Sequence, residues 1–159
     1  MKVIYKPIGI IYTSFHSIEG MPIQPSSNTS GTGMVEIVPE FADGLKDLAG
    51  FSHIYLLYHF HKVSQTKLLV TPFLDSVPRG VFATRAPSRP NPIGLSLVKL
   101  ERIENNMIYV TGVDILNKTP ILDIKPYVPE FEPSENVQIG WLEQGKDGIR
   151  SQKSDDRFG

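Results

Sequence analysis

The sequence holds no cysteine in its 159 residues. That excludes a disulfide framework, a thiolate nucleophile and a cysteine-rich zinc site. No apolar run approaches the roughly 20 residues that cross a bilayer as a helix. The opening Met1-Lys2-Val3-Ile4-Tyr5-Lys6 has neither the apolar core nor the cleavage site of a signal peptide. The expectation is a cytoplasmic protein with no membrane partner. An excess of one charge is missing as well: 16 Lys and Arg against 17 Asp and Glu give a formal net charge of −1, which argues against a uniformly basic surface. No internal repeat is visible. The regular alternation of strand and helix that marks a doubly wound nucleotide-binding fold is absent too.

What is present is an uneven spread of charge. Between Lys62 and Arg102 lie seven basic residues (Lys62, Lys67, Arg79, Arg85, Arg89, Lys99, Arg102) and two acidic ones (Asp75, Glu101), for +5, and the rest of the chain carries −6. A basic middle on an acidic body suits a polyanionic or carboxylate-bearing ligand held locally, although a solvated mixed surface has the same count.

Short segments rich in Val, Ile, Leu, Tyr and Phe, separated by Pro, Gly and Asn clusters, predict a mainly β, single barrel-like domain with one or two short helices. The expected strands are Ile8 to Tyr12, Gly33 to Ile37, Ser52 to His61, Gly80 to Thr84, Gly94 to Ile103 and Met107 to Asp114, with Leu122 to Ile124 as a seventh. Asn105-Asn106 predicts a tight hairpin turn, because Asn tolerates left-handed backbone angles. A helix is expected over Pro39 to Ala49, where Phe41, Leu45 and Leu48 fall at i, i+4 and i+7 and Gly50 stops it, with Gly44 as a weak point. Ser26 to Thr32 reads as a loop, so Gly31-Thr32-Gly33 lacks the preceding strand of a phosphate-binding fingerprint. The domain is expected to occupy residues 1–144, with Trp141 and Leu142 anchoring a last element, and 145–159 to form a polar tail.

Three groups of residues carry potential chemistry. In Arg85-Ala86-Pro87-Ser88-Arg89-Pro90-Asn91-Pro92-Ile93-Gly94, three prolines stiffen a segment that bears two guanidinium groups, an arrangement suited to an anion or a ligand edge and equally to a plain surface loop. His59 and His61 sit at i and i+2, sharing a strand face with Tyr55 and Leu57, while Ile54, Leu56, Tyr58 and Phe60 form the core face. No third metal ligand is placed by spacing, so the pair reads as half-buried packing or a pocket wall, and no metal is expected. Asp114, Asn117, Lys118, Thr119, Pro120 and Asp123 form a polar loop that supplies donors and acceptors beside a pocket, or a turn closed on its own side chains.

Taken together, Gly80-Val-Phe-Ala-Thr-Arg85, Arg89-Pro-Asn-Pro-Ile-Gly94, Ser96-Leu97-Val98, Thr119-Pro120 and Asp123-Ile-Lys-Pro-Tyr127 resemble the signature run of the TrmO (TsaA-like) methyltransferase family. Similarity extends back through Ile8-Gly9, Pro22 to Pro25, Phe51-Ser52-His53 and Phe60-His61, and on to about Pro129. The resemblance implies a β-barrel that binds S-adenosyl-L-methionine, acts as a homodimer and methylates N6 of threonylcarbamoyladenosine in the anticodon-loop region of tRNA. It implies cofactor contacts at Pro22, Ile23, Gln24, His61, Lys62, Arg85, Leu95, Asn117, Lys118, Thr119 and Pro120. Asn117-Lys118 stands where Asp-Gly is the family's common pair. Methyl transfer from sulfonium to nitrogen needs no metal, only alignment and exclusion of water. His61, Arg89 and Lys118 are the catalytic candidates, with Arg89 or Lys118 suited to the carboxylate of the threonylcarbamoyl group. The alternatives are the same barrel acting on another RNA or a small metabolite, and a non-catalytic S-adenosyl-L-methionine-binding domain.

Overall fold

The computed structural model describes residues 1–19, 31–73 and 75–148. Six antiparallel strands close into a barrel: β1 (Gly9–Thr13), β2 (Gly31–Ile37), β3 (His53–His59), β6 (Ile93–Glu104), β7 (Met107–Val113) and β8 (Thr119–Pro126), in the spatial order β1-β2-β7-β6-β3-β8. Two-residue strands β4 (Leu69–Val70) and β5 (Arg79–Gly80) pair as a separate ribbon. Inward residues alternate along each strand, as the two-residue period of a strand requires. Ile11, Val35, Ile54, Leu56, Ile108, Val113 and Ile121 are fully buried in a single core.

The strand order makes two connections span the barrel's diameter. β2 lies across the ring from β3, and β7 across from β8. The first crossing is made below the barrel by two 3-10 helices, Pro39–Leu45 and Leu48–Gly50. These replace the single α-helix expected from the periodicity. Asp47 interrupts them in a left-handed conformation, at φ 65°, and Gly44 contributes little helix propensity. The spacing argument still identified the apolar face, because Phe41, Leu45 and Leu48 pack against the core. The second crossing, residues 114–118, runs over the opposite end, and its Ile115 is buried to 1% exposure in the same core. Each end of the barrel is thus stoppered by a crossover.

Other boundaries differ from the sequence expectation. β2 begins at Gly31, so Gly31 and Thr32 belong to a strand; residues 20–30, with the rest of the expected loop, lie outside the described residues. β3 ends at His59, because Phe60 N–H bonds to the carbonyl of Pro92 and His61 enters a turn. Gly80 to Thr84 is only briefly extended. From Val81 to Ala83 it is a 3-10 turn, closed by Thr84 N–H and the Thr84 hydroxyl, both donating to the Val81 carbonyl. The Asn105-Asn106 turn is present, with Asn105 at φ 54° between the paired Glu104 and Met107. Trp141 anchors the 3-10 helix Gly140–Gly148 by donating from Nε1 to the carbonyl of Ala83 at 2.8 Å. Among the described residues no helix is long and apolar enough to cross a membrane.

Candidate active site

The antiparallel order sends β1, β3 and β7 towards one mouth of the barrel and starts β2, β6 and β8 from it. That single fact gathers segments distant in sequence: His59 to Lys62 at the end of β3, the proline-stiffened segment leading into β6, the 114–118 crossing after β7, and Thr119-Pro120 opening β8. Pro22, Ile23 and Gln24 lie outside the described residues, but the flanking Thr13 and Gly31 stand at this same mouth.

The crossing is pinned by its own polar groups. Thr13 N–H donates to Asn117 Oδ1 at 3.0 Å, Asn117 Nδ2 lies 3.2 Å from His16 Nδ1, and the Thr13 hydroxyl donates to the carbonyl of Ile115. Asn117 N–H and Lys118 N–H donate to the carbonyls of Phe15 and Ile11. Thr119, 2% exposed, gives its hydroxyl proton to the Leu116 carbonyl at 2.6 Å and so is left as an acceptor for His61 Nδ1 at 3.3 Å. This assigns the imidazole proton to Nδ1 and the lone pair to Nε2. Burial lowers the His61 pKa, and the charges of Lys62 and His59 lower it further, so the ring is neutral near pH 7. Lys118 is exposed and held at φ 64°. A left-handed non-glycine residue carries strain of roughly 1–2 kcal/mol, so Lys118→Gly should raise stability by up to about 1 kcal/mol after the extra freedom of glycine in the unfolded chain is offset. Denaturant titration checks this, and a fall in midpoint would contradict it.

The two arginines of the stiff segment have different surroundings. Arg89 Nη1 donates to three carbonyls, those of Val81, Thr84 and Ala86, at 3.1, 2.9 and 3.2 Å, and its guanidinium lies 5.9 Å from the Phe82 ring centre. It clamps the 3-10 turn over a small second core of Val70, Val81 and Ala86. Arg85 is exposed, and its charge acts on Tyr55, Tyr58 and Asp114. Leu95 is 45% exposed on the outer face of β6, and Lys62 is exposed beyond β3. Among the described residues no group of three or more His, Asp or Glu is placed to hold a metal.

One constellation was not singled out from the sequence. Inside the mouth, the Ser96 hydroxyl donates to Asp114 Oδ1 at 2.5 Å, and Tyr58 OH lies 3.0 Å from Ser96 Oγ. Ser96 and Tyr58 are 1% and 5% exposed. Burial raises the Asp114 carboxyl to about 7 against the opposing pull of the Ser96 bond, its own backbone N–H and the Arg85 charge. Burial, then the Asp114 charge, pushes the Tyr58 hydroxyl far above its ordinary value. The signal was a hydroxyl at an inward position of Gly94-Leu95-Ser96-Leu97-Val98, where alternation calls for an apolar side chain.

Comparison with known proteins places this geometry among relatives. A family model described as the tRNA-methyltransferase O N-terminal domain matches residues 10–133. A probable S-adenosyl-L-methionine-binding protein of Pyrococcus abyssi is 50% identical over 99% of the chain and 86% of its own length. The human tRNA (adenine(37)-N6)-methyltransferase is 37% identical over 86% of the chain, which spans only 32% of that protein. The crystal structure of TrmO from Pseudomonas aeruginosa superposes with a TM-score of 0.74 at 37% identity, covering 89% of this chain and 63% of that one.

Proposed function

Because the chain belongs to the TrmO family, we propose that it binds S-adenosyl-L-methionine at the barrel mouth and transfers its methyl group to N6 of threonylcarbamoyladenosine next to the tRNA anticodon. The observation that carries this reading is the convergence on one mouth of His61, Arg85, Asn117, Thr119 and Pro120, from three separate stretches of chain. The name of the human relative, a tRNA (adenine(37)-N6)-methyltransferase, supports N6 of adenine 37 as the position methylated, and the name of the Pyrococcus relative supports the donor.

The residues present fit the donor. Its carboxylate calls for a guanidinium such as Arg85, and its base and sugar for the polar edge of the Asn117 to Pro120 loop and the apolar side chain of Leu95. Pro22 to Gln24 and Lys62 complete the proposed set. Bound there, S-adenosyl-L-methionine supplies an electrophilic methyl carbon; the chain's part is to orient the acceptor nitrogen and keep water out. The basic excursion between β3 and β6, with Lys62, Lys67, Arg79 and Arg85, is the face for the tRNA backbone. In this reading the working unit is a cytoplasmic homodimer. Lys118 is the exposed cation for the acceptor's carboxylate, and Arg89 contributes by holding the turn that carries Arg85.

Incubation with labelled S-adenosyl-L-methionine should methylate threonylcarbamoylated tRNA and leave unmodified tRNA unlabelled. Equal labelling of both, or of neither, overturns the assignment. Arg85→Ala should weaken cofactor binding about tenfold or more, since a charge-assisted contact contributes roughly 1.5–3 kcal/mol. Unchanged affinity in calorimetry removes Arg85 from the site.

A further inference from the structure

Methylation of an N–H group leaves a proton to be placed. Asp114 is a carboxylate at the mouth, held by a buried hydroxyl. It is the first residue of the crossing over the barrel end, and its Oδ1 accepts from Ser96, a hydroxyl rooted inside the barrel and backed by Tyr58. Three polar groups are therefore joined in a chain at the mouth, two of them on buried residues beside the apolar core cluster. Apolar residues of similar volume would pack there at no cost in desolvation. With Ser96 donating to the carboxylate, Tyr58 donates to Ser96, so the chain of hydrogen bonds runs outwards and ends on Asp114. Gly94 keeps the space for it: a Cβ there would lie 2.2 Å from the Tyr58 ring.

We propose that Asp114 is the catalytic base that accepts the acceptor nitrogen's proton, with Ser96 and Tyr58 as its positioning residues. This rests on the methyl-transfer reading above. In the step, the nitrogen's electron pair forms the new C–N bond and the C–S bond breaks with its pair remaining on sulfur. The N–H proton passes to the Asp114 carboxylate and then to solvent, so charge and atoms balance. A carboxyl held near 7 is suited to this, because a base works best when its pKa is close to the operating pH. The charged and titratable groups that act on it are Arg85 from the stiff segment and Tyr58 from β3. His61 is the competing base, since its Nε2 also carries a lone pair.

The test uses the full chain with threonylcarbamoylated tRNA. Asp114→Asn should lower kcat roughly 10²–10⁴-fold while cofactor affinity by calorimetry is retained. The wild-type log kcat/KM, which reports the base in the free enzyme, should rise with pH to a plateau with a midpoint near 7. Ser96→Ala removes a bond that favours the ionised form, so it should move that midpoint upwards. The carbon-13 shift of the Asp114 carboxyl in the cofactor-free protein should titrate at the same midpoint and move with it. Asp114→Asn with near-normal kcat, a midpoint that follows His61→Gln and not Ser96→Ala, or a loss traced wholly to cofactor binding overturns the assignment. Wild-type protein that methylates no tRNA overturns the underlying reading, and this inference with it.

Discussion

Replacing Gly94 with alanine should destabilise the protein by about 3 kcal/mol or more, at or above the usual ceiling for overpacking a core. The added Cβ would meet Tyr58 Cε2 at 2.2 Å, Cζ at 2.4 Å and the hydroxyl oxygen at 2.8 Å. The ring has little room to yield. It is 5% exposed, its hydroxyl is bonded to Ser96, and Phe60 lies edge-on at 5.3 Å. At about 2–4 °C per kcal/mol for a chain of this size, the melting temperature should fall roughly 6–12 °C. Gly80→Ala is the matched control, because nothing lies within 4 Å of its Cβ. Pairing Gly94→Ala with Tyr58→Leu should recover part of the loss, as expected for residues in direct contact. A Gly94→Ala protein that melts with the wild type would mean that the ring does not sit over the glycine.

The second large effect is a dependence of stability on pH. Between the ordinary aspartate value of about 4 and its own value of about 7, Asp114 in the folded protein holds a proton that the unfolded chain has released. Stability therefore falls as pH rises through this window: the contribution is fully present below pH ~4 and lost above pH ~7. The full gap corresponds to roughly 4 kcal/mol, and partial access of solvent at the mouth reduces the expectation to about 2 kcal/mol. His61, whose pKa is lowered, acts in the opposite sense, since its contribution is present above the ordinary histidine value and lost as pH falls. Asp75, Glu101 and Glu104, also lowered, lose theirs only in more acid solution. The clean quantity is accordingly the difference between wild type and Asp114→Asn, which keeps an acceptor for Ser96. Relative to wild type, the variant should gain stability from pH 4.5 to about 7 and then level off in denaturant titrations. Parallel curves for the two proteins would show that the carboxyl is not held near neutrality.

The sequence exposed the barrel strands and the apolar faces because both depend on alternation. Ile54, Leu56 and Tyr58 point inwards as their spacing requires. It misjudged Gly80 to Thr84, whose apolar residues suit a strand, because the segment's own Thr84 hydroxyl, and Arg89 from outside it, close the backbone into a turn. The helix over Pro39 to Ala49 had the right face and the wrong pitch, a difference that apolar spacing over three turns hardly registers. At the mouth, family resemblance supplied His61, Arg85 and the loop from Asn117 to Pro120, while physical reading alone left each as an ordinary loop residue. Asp114 was visible only as one of the six residues named in a polar loop. What marks it out is the hydroxyl beneath it, and that pairing spans two strands and needs the register of β6 against β7.

One seam of the barrel is shorter than the others. β1 meets β8 only through Gly9 with Ile121, Ile10 with Pro120 and Ile11 with Thr119, and Pro120 brings no N–H to that ladder. Amides along this seam should be the first of the barrel to exchange with deuterated solvent, through local opening well short of global unfolding. Its upper end is Lys118 to Pro120, the edge proposed to grip the donor. A ligand that fastens this edge suppresses the opening, and the slowing of those few amides measures occupancy of the mouth without any turnover.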